Sequence, residues 1–215
     1  MIRVLDLDTI NKIAAGEVVE RPSSVVKELV ENSLDAGADE ISVEILKGGM
    51  AFIRVRDNGC GIAREDLPQA LLRHATSKIQ SVTDLESIAS LGFRGEALPS
   101  IAAVSNFRIS SCQEGQTGYM VEVLSGKQSD VVPKAMSTGT IVEVEDLFYN
   151  VPARKKFIKS ENAEAGRIQK YLQAAAISRP DVAFTLIKDG KKVIETQKTG
   201  NQLLAIGSVF GGSLS

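Results

Sequence analysis

A carboxylate followed by two closely spaced glycines ends a short alternating run, and this turn constrains the residues on both sides of it. Residues 51–56 alternate apolar and polar side chains, which predicts a half-buried strand. The strand is followed by Asp57, Asn58, Gly59, Cys60, Gly61 and Ile62. Glycine tolerates positive φ and lets another group approach the backbone closely. The turn is therefore either a β-hairpin, which Asn-Gly favours, or the floor of a nucleotide site.

A helix with one polar edge is predicted before this turn. Pro22 suits its first turn and Gly37 ends it, and an apolar stripe recurs at helical spacing through Val25, Val26, Leu29, Val30 and Leu34. Glu28, Asn32 and Asp35 fall together on one edge of the same helix. A carboxylate and an amide one turn apart can hold a water and a cation, although an ordinary solvated helix face shows the same pattern.

The rest of the chain predicts a sheet and further helices. Alternation predicts strands over 41–46, 107–112, 119–124 and 140–144, and a hairpin of 182–187 with 192–196 across an Asp-Gly turn. Apolar spacing and end signals predict helices over 63–73 and 160–178, and a further helix begins near 201.

Composition limits the partners and the compartment. The 215 residues carry 25 Lys and Arg against 27 Asp and Glu, so the chain is no general polyanion binder. Two cysteines make no disulfide framework, and no signal peptide or membrane span is evident, so we expect a cytoplasmic protein without membrane contact. A local basic cluster could still meet DNA phosphates, although such clusters are commonly solvated; its residues are Arg154, Lys155, Lys156 and Lys159.

A second glycine-bearing loop offers a place for phosphate. Residues 92–98 carry two glycines and run into an apolar helix, and free N–H groups at a helix start attract anions. A plain helix entry has the same appearance. The familiar phosphate-binding patterns are absent from the sequence, because there is no G-x-x-x-x-G-K-[ST] and Arg64 stands where a dinucleotide fingerprint needs its third glycine.

Four segments in succession resemble the motifs of the GHKL ATPases, and within that superfamily the MutL family of DNA mismatch repair proteins. These segments are Glu31–Ala38, Asp57–Ile62, Arg73–Lys78 and Gly92–Leu98. Residues 13–19 and 146–157 also match the MutL pattern. The resemblance covers essentially all of residues 1–200.

The resemblance implies an α/β (α+β) two-layer sandwich, the GHKL or Bergerat fold, with one mixed, mostly antiparallel sheet and helices on one face. Residues 1–200 would form the ATPase domain, and 201–215 would begin a truncated second, transducer domain. ATP and Mg²⁺ are the implied cofactors. Glu28 would be the general base, Asn32 the Mg²⁺ ligand and Asp57 the acceptor for the adenine amino group. The other implied nucleotide contacts are Asp35, Ala36, Gly61, Ile62, Thr76, Ser77, Lys78, Gly92, Phe93, Arg94, Gly95, Glu96, Ala97, Leu98 and Thr140, with residues 74–98 forming a lid.

The implied function is that of an ATP-gated clamp. Two nucleotide-bound copies would dimerise, with residues 1–20 helping them pair, and would couple mismatch recognition by MutS to a downstream repair nuclease and helicase in the bacterial cytoplasm, near the nucleoid. DNA contact would be weak and non-specific. Hydrolysis by these 215 residues would be slow or absent, because a lysine of the second domain reaches the γ-phosphate in the family. The alternatives are another GHKL ATPase, such as a type II topoisomerase, and a non-hydrolysing ATP-dependent binding module.

Overall fold

The computed structural model describes residues 15–16, 18–73, 75 and 96–210. Its principal helices are α1 (Pro22–Asp35), α2 (Ala97–Ala103), α3 (Pro152–Phe157), α4 (Glu161–Ser178) and α5 (Gln202–Phe210). Its strands are β1 (Glu40–Leu46), β2 (Phe52–Asp57), β3 (Asn106–Cys112), β4 (Tyr119–Leu124), β5 (Lys127–Gln128), β6 (Val132–Pro133), β7 (Gly139–Glu145), β8 (Ala183–Lys188) and β9 (Lys191–Glu195). Single 3₁₀ turns occur at Lys47–Gly49 and Gln69–Leu71.

The nine strands of these described residues form one sheet. Their order is β5-β4-β3-β7-β2-β1-β8-β9, and β6 pairs with the outer part of β4. Neighbours run antiparallel except β1 and β8, which are parallel. The predicted mixed, mostly antiparallel sheet is confirmed.

One face of the sheet is apolar and lies under the helices. Inward positions of adjacent strands align across the sheet, as Val43, Val55 and Val142 do on β1, β2 and β7. These side chains are almost fully buried, and each contributes on the order of 1.5–3 kcal/mol relative to exposure. The apolar stripe of α1 supplies the facing layer through Val25, Val26, Leu29 and Val30. The two-layer arrangement is therefore confirmed.

The opposite face of the sheet carries a row of alternating charges across five strands. Arg54 on β2 donates to Glu44 on β1 at 2.8 Å and to Glu143 on β7 at 2.7 Å. Arg108 on β3 donates to Glu143 at 2.9 Å and also to Glu122 on β4. These residues stand directly opposite one another in the strand register, so Arg54, Glu143 and Arg108 each meet two partners of opposite sign. These ion pairs fix the positions of the charged side chains on this face of the sheet.

α4 packs on α1 and fixes where that helix lies. The Tyr171 hydroxyl on α4 donates to the Lys27 carbonyl on α1 at 3.4 Å. The fully buried Glu164 lies 3.9 Å from Arg21, the residue that precedes α1. No helix within the described ranges combines the length and the apolar character needed to cross a bilayer.

The helix predicted over 63–73 is wrong. Residues 64–68 form turns, and only Gln69–Leu71 closes a 3₁₀ turn. Pro68 lies in the middle of the segment and has no N–H to donate, so an α-helical ladder is interrupted there. The other predicted helices and strands form within a residue or two of their expected bounds, including the β8–β9 hairpin.

Candidate functional site

Three polar residues replace apolar ones at one end of the helix-covered sheet face. Asp57 ends β2, Thr140 lies near the start of β7, and Ser111 on β3 stands opposite Thr140. Each occupies an inward position, in line with the buried valines and isoleucines further along its strand. The apolar core therefore ends in a polar row under the C-terminal half of α1.

The Asp57 carboxylate is held by three donors. Its Oδ1 accepts from the backbone N–H groups of Gly59 at 2.9 Å and Thr140 at 3.1 Å. Its Oδ2 accepts from the Ser33 hydroxyl of α1 at 2.8 Å. The residue is only 8% exposed. A buried carboxylate needs such partners, and three of them fix its orientation before any ligand arrives.

Ser111 joins the rest of the polar row to the loop after β2. The Ile62 N–H donates to Ser111 Oγ at 2.8 Å. The same oxygen lies 2.8 Å from Thr140 Oγ1 and 3.1 Å from the Gly139 carbonyl. Ile62 and Thr140 are thus joined through Ser111, and the Thr140 N–H continues the chain of hydrogen bonds to Asp57.

The loop that follows Asp57 is wedged between the end of α1 and the end of β3. The Cys60 N–H donates to the Ala36 carbonyl at 3.0 Å. Gly61 has φ +73°, and a Cβ there would lie 2.2 Å from the Cys112 carbonyl oxygen. The hairpin interpretation is wrong, because β2 pairs with β1 and β7 and not with the residues after the turn. Gly61 is required by this chain-on-chain contact, whatever else approaches it.

The neighbouring Asn58 ties the loop to the start of β1. Its Oδ1 accepts from the N–H groups of Asp39 and Glu40, each at 3.0 Å, and its Nδ2 donates to the Asp39 carboxylate at 2.7 Å. The Asn58 and Lys198 hydrogen bonds hold the pKa of Asp39 below its usual value. Both flanks of the loop are therefore anchored.

The polar edge of α1 contains more carboxylates than the sequence suggests. Glu28 and Asn32 are partly exposed and Asp35 is exposed, as an edge facing a ligand requires. Glu31 lies beside them: burial raises its pKa, the nearby Lys27 lowers it, and the charges of Glu28 and Asp35 raise it further. Tyr171 borders this edge, and burial together with the charges of Glu31 and Glu28 raises its pKa. Negative charge is therefore concentrated here, where a cation would relieve it.

Several predicted contacts lie outside the described residues. They are Thr76, Ser77, Lys78, Gly92, Phe93, Arg94 and Gly95, and with them most of the predicted lid. Of the same segment, Glu96, Ala97 and Leu98 are described and partly exposed, and Ala97 begins α2. Ala36 is partly exposed at the end of α1.

The basic cluster divides into one anchored residue and three exposed ones. Arg154 donates to the Val19 carbonyl at 2.9 Å, and its guanidinium fills the space beside Gly16. Lys155, Lys156 and Lys159 are exposed. Arg154 therefore holds the segment before α1 and differs in role from the lysines with which the sequence groups it.

Ser33 and Ser111 were missed by sequence reasoning, although a signal for each was present. Ser33 lies four residues after Leu29, within the apolar stripe of α1. Ser111 continues the inward series of Phe107 and Ile109 on β3. A serine at a core position must find a hydrogen-bond partner, so both positions point to a buried polar cluster.

The arrangement suits a ligand with a hydrogen-bond donor at one end and anionic groups with a cation at the other. Asp57 presents an oriented acceptor at the base of the site, and the α1 edge presents carboxylate and amide oxygens, the ligands that Mg²⁺ prefers. Ser33 lies next to Asn32 and is hydrogen-bonded to Asp57, so one helix connects the two ends.

Comparison with known proteins agrees with this arrangement. The sequence model of the family described as histidine kinase-, DNA gyrase B- and HSP90-like ATPase matches residues 20–151, more than half of the chain. The DNA mismatch repair protein MutL of Xanthomonas oryzae pv. oryzae (strain PXO99A) is 55% identical over 191 residues, which are 88% of this chain and 31% of that protein. MutL of Clostridium botulinum (strain Eklund 17B / Type B) is 50% identical over 214 residues, 99% of this chain and 32% of that protein.

A solved structure extends the likeness to the fold. The Aquifex aeolicus MutL ATPase domain complexed with ADP has 36% sequence identity and a TM-score of 0.73, over 90% of this chain and 70% of that one. The chain spans about a third of the length of the MutL relatives it matches. The chain therefore belongs to the histidine kinase-, DNA gyrase B- and HSP90-like ATPase family, and within it to the MutL group of DNA mismatch repair proteins.

Proposed function

We propose that this chain binds ATP with Mg²⁺ and hydrolyses it slowly, as the ATPase domain of a MutL-type mismatch repair protein. The observation that carries the proposal is the Asp57 carboxylate, buried at the end of β2 and held by Gly59, Thr140 and Ser33. An acceptor fixed in this way is suited to the 6-amino group of adenine.

The proposed roles divide between an adenine end and a phosphate end of the site. Asp57 accepts from the adenine amino group, with Gly61, Ile62 and Thr140 around the base. Glu28, on the polar edge of α1, takes a proton from the attacking water. The lid residues of the sequence prediction, together with Glu96, Ala97 and Leu98, surround the phosphates, and Asp35 and Ala36 lie between the two ends. Positioning and charge stabilisation supply most of the catalysis in such phosphoryl transfer.

The residues on α1 fit a bound Mg²⁺. Asn32 offers an amide oxygen, and the carboxylates of Glu28, Glu31 and Asp35 share the same helix edge; burial first, and then the charges of Glu28 and Asp35, raise the pKa of Glu31. When bound, Mg²⁺ neutralises phosphate charge in the transition state. Tyr171 lies beside this edge and donates to the Lys27 carbonyl of α1 at 3.4 Å.

The wider function is also proposed by resemblance. The domain acts as an ATP-gated clamp that dimerises with nucleotide and couples MutS to a downstream nuclease and helicase in the bacterial cytoplasm, near the nucleoid. Residues 1–200 are the ATPase unit, and α5, which begins at Gln202, belongs to the second domain. Turnover by the 215 residues alone is slow, since the γ-phosphate lysine of the family comes from that second domain.

The test separates binding from hydrolysis. Phosphate release at saturating ATP and Mg²⁺ should fall by about 10²–10⁴-fold in Glu28→Ala, the usual contribution of a general base, while ATP affinity stays within a few-fold of the wild type. Glu20→Ala, a glutamate just before α1, serves as the control and should keep the wild-type rate. Failure of the wild-type chain to bind ATP would refute the proposal. ATP binding without measurable phosphate release in the wild type would favour the non-hydrolysing binding module, and equal measurable rates in Glu28→Ala and wild type would refute Glu28 as the general base.

The exposed lysines favour a weak contact with DNA as a second activity. Lys155, Lys156 and Lys159 stand on or next to α3, beside Phe157, which is 88% exposed. Exposed cations release counterions from a phosphate backbone, and an exposed aromatic ring can stack on a base. Replacing the three lysines by alanine should lower the salt dependence of DNA binding. An unchanged dependence would reject this surface.

A further inference from the structure

We propose that Ser33 is a positioning residue that determines base selectivity, by limiting Asp57 to one free acceptor direction on Oδ2. The inference rests on the proposed function, since it concerns how the same site reads the base. It assigns a role to a residue that lies in the helix carrying Glu28 and Asn32 but belongs to the opposite, buried face.

The hydrogen bonds at Asp57 leave little acceptor capacity unused. A carboxylate has about four lone-pair directions. Gly59 and Thr140 occupy both directions on Oδ1, at 2.9 and 3.1 Å. Ser33 occupies one direction on Oδ2, at 2.8 Å. No donor within the described residues occupies the remaining direction on Oδ2.

The Ser33 hydroxyl is itself constrained. It is 3% exposed, and its oxygen lies 3.1 Å from the Leu29 carbonyl as well as 2.8 Å from Asp57 Oδ2. A hydroxyl has one hydrogen to donate, and the shorter contact, to a charged acceptor, is the stronger. The side chain therefore holds Oδ2 from a rigid helix, and the carboxylate cannot rotate without breaking this bond.

A single free direction selects among purine bases. The 6-amino group of adenine can donate one hydrogen to Oδ2. Guanine presents two adjacent donors, N1–H and the 2-amino group, which would need both carboxylate oxygens, and its 6-keto oxygen would face a negative charge. Because Oδ1 is already saturated, the paired contact with guanine is closed.

The experiment measures the contribution of the 6-amino group with and without Ser33. Dissociation constants are measured for Mg-ATP and for purine riboside 5′-triphosphate, which lacks only the 6-amino group, using the whole 215-residue chain. In the wild type the analogue should bind about 10–100-fold more weakly, as expected for loss of a hydrogen bond to a charged group. In Ser33→Ala the carboxylate is no longer held through Oδ2, so the penalty should shrink to about 3-fold.

Two further variants control for packing. Ser33→Cys fills nearly the same space with a weak donor, so it should behave like Ser33→Ala. Ser105→Ala removes another buried serine whose hydroxyl donates to a carbonyl four residues earlier, at 2.7 Å, and should keep the wild-type penalty.

The outcomes are distinct. If Ser33→Ala weakens ATP and the analogue by the same factor, Ser33 supports α1 only and the inference is overturned. An unchanged penalty in Ser33→Cys would overturn it as well. If the wild type binds neither nucleotide, or binds both equally, the proposed function or the role of Asp57 fails instead.

Discussion

Two carboxylates at opposite faces of α1 meet very different surroundings. Asp57, near the C-terminal end of the helix, receives three donors from the protein and is buried. Glu31, on the polar edge, pairs with the ammonium of Lys27 at 3.7 Å, and the charges of Glu28 and Asp35 add to the effect of burial in raising its pKa. One group is satisfied by the fold and the other is crowded with like charge.

Under the proposed function, this difference corresponds to a division of work within the site. A group that reads a neutral base must be oriented in advance, and the protein supplies its donors. Under that proposal, groups that handle water, metal and phosphate gain partners when the ligand binds, and before that Glu31 lies among like charges. The free energy of unfolding should therefore change with pH, and with neutralisation, in opposite directions for a carboxylate rich in donors and for one crowded by like charge. The backbone around Asp57 should tolerate substitution least.

The largest loss of stability is expected where the backbones of Gly139 and Asp57 meet. Gly139 has φ +120°, and a Cβ there would lie 2.1 Å from the Asp57 carbonyl oxygen. Gly139→Ala should cost about 3 kcal/mol of unfolding free energy, measured by urea titration, because overpacking adds to backbone strain.

The matched control is Gly190→Ala in the β8–β9 hairpin. Gly190 also has positive φ, at +76°, but a Cβ there would meet nothing within 4 Å. Only strain remains, so the cost should be about 1 kcal/mol. Equal losses in the two variants would show that the contact between β7 and the Asp57 backbone is unimportant.

A donor-rich carboxylate away from the site should stabilise the fold at neutral pH. Burial alone would raise the pKa of Glu143, but hydrogen bonds from Arg108 and Arg54 bring it below its usual 4.5. Its contribution is therefore present above pH 4.5 and lost as pH falls through the lowered folded-state pKa. Glu143→Gln should cost about 1–2 kcal/mol at pH 7, measured by denaturant unfolding, and this difference should shrink at pH 3. A constant difference would contradict the assignment.

The smallest change in stability is expected at Glu31, on the polar edge of α1, and it has the opposite sign. The folded-state pKa of Glu31 lies above its usual 4.5, so its ionisation costs stability as pH rises from about 4.5 through that raised value. Glu31→Gln should therefore raise the free energy of unfolding at pH 7 by up to about 1 kcal/mol, and should have no effect below pH 4. Destabilisation at pH 7 would mean that the Lys27 ion pair outweighs the crowding.

Local patterns predict most of the elements of this fold. The stripe of α1 and the alternation of β1, β2, β3, β4 and β7 are periodic, and periodicity reports a buried face directly. The helix predicted over 63–73 is wrong because Pro68, in the middle of an otherwise helical spacing of apolar residues, has no N–H to donate. The strand order, with β7 between β3 and β2, depends on contacts between distant segments, which local patterns do not predict.

The site was partly predictable for the same reason. Asp57 and Thr140 lie at strand ends, and Glu28 and Asn32 share a helix edge, so motif and spacing identify them. The partners of Asp57 come from residues 24 and 83 positions away and from its own turn, and spacing along the chain cannot pair them. Arg154 is a second example, because the sequence groups it with neighbouring lysines although it donates to the carbonyl of Val19, 135 residues earlier.

Asp57 is the residue on which this description depends most, and calorimetric titration of Asp57→Asn tests it directly. Wild type and variant are titrated with a non-hydrolysable ATP analogue in the presence of Mg²⁺. The amide keeps the shape of the carboxylate but replaces a charged acceptor, so affinity should fall by about 10–100-fold while the free energy of unfolding changes much less. Wild-type affinity in Asp57→Asn would contradict the assignment of this carboxylate as the reader of the base.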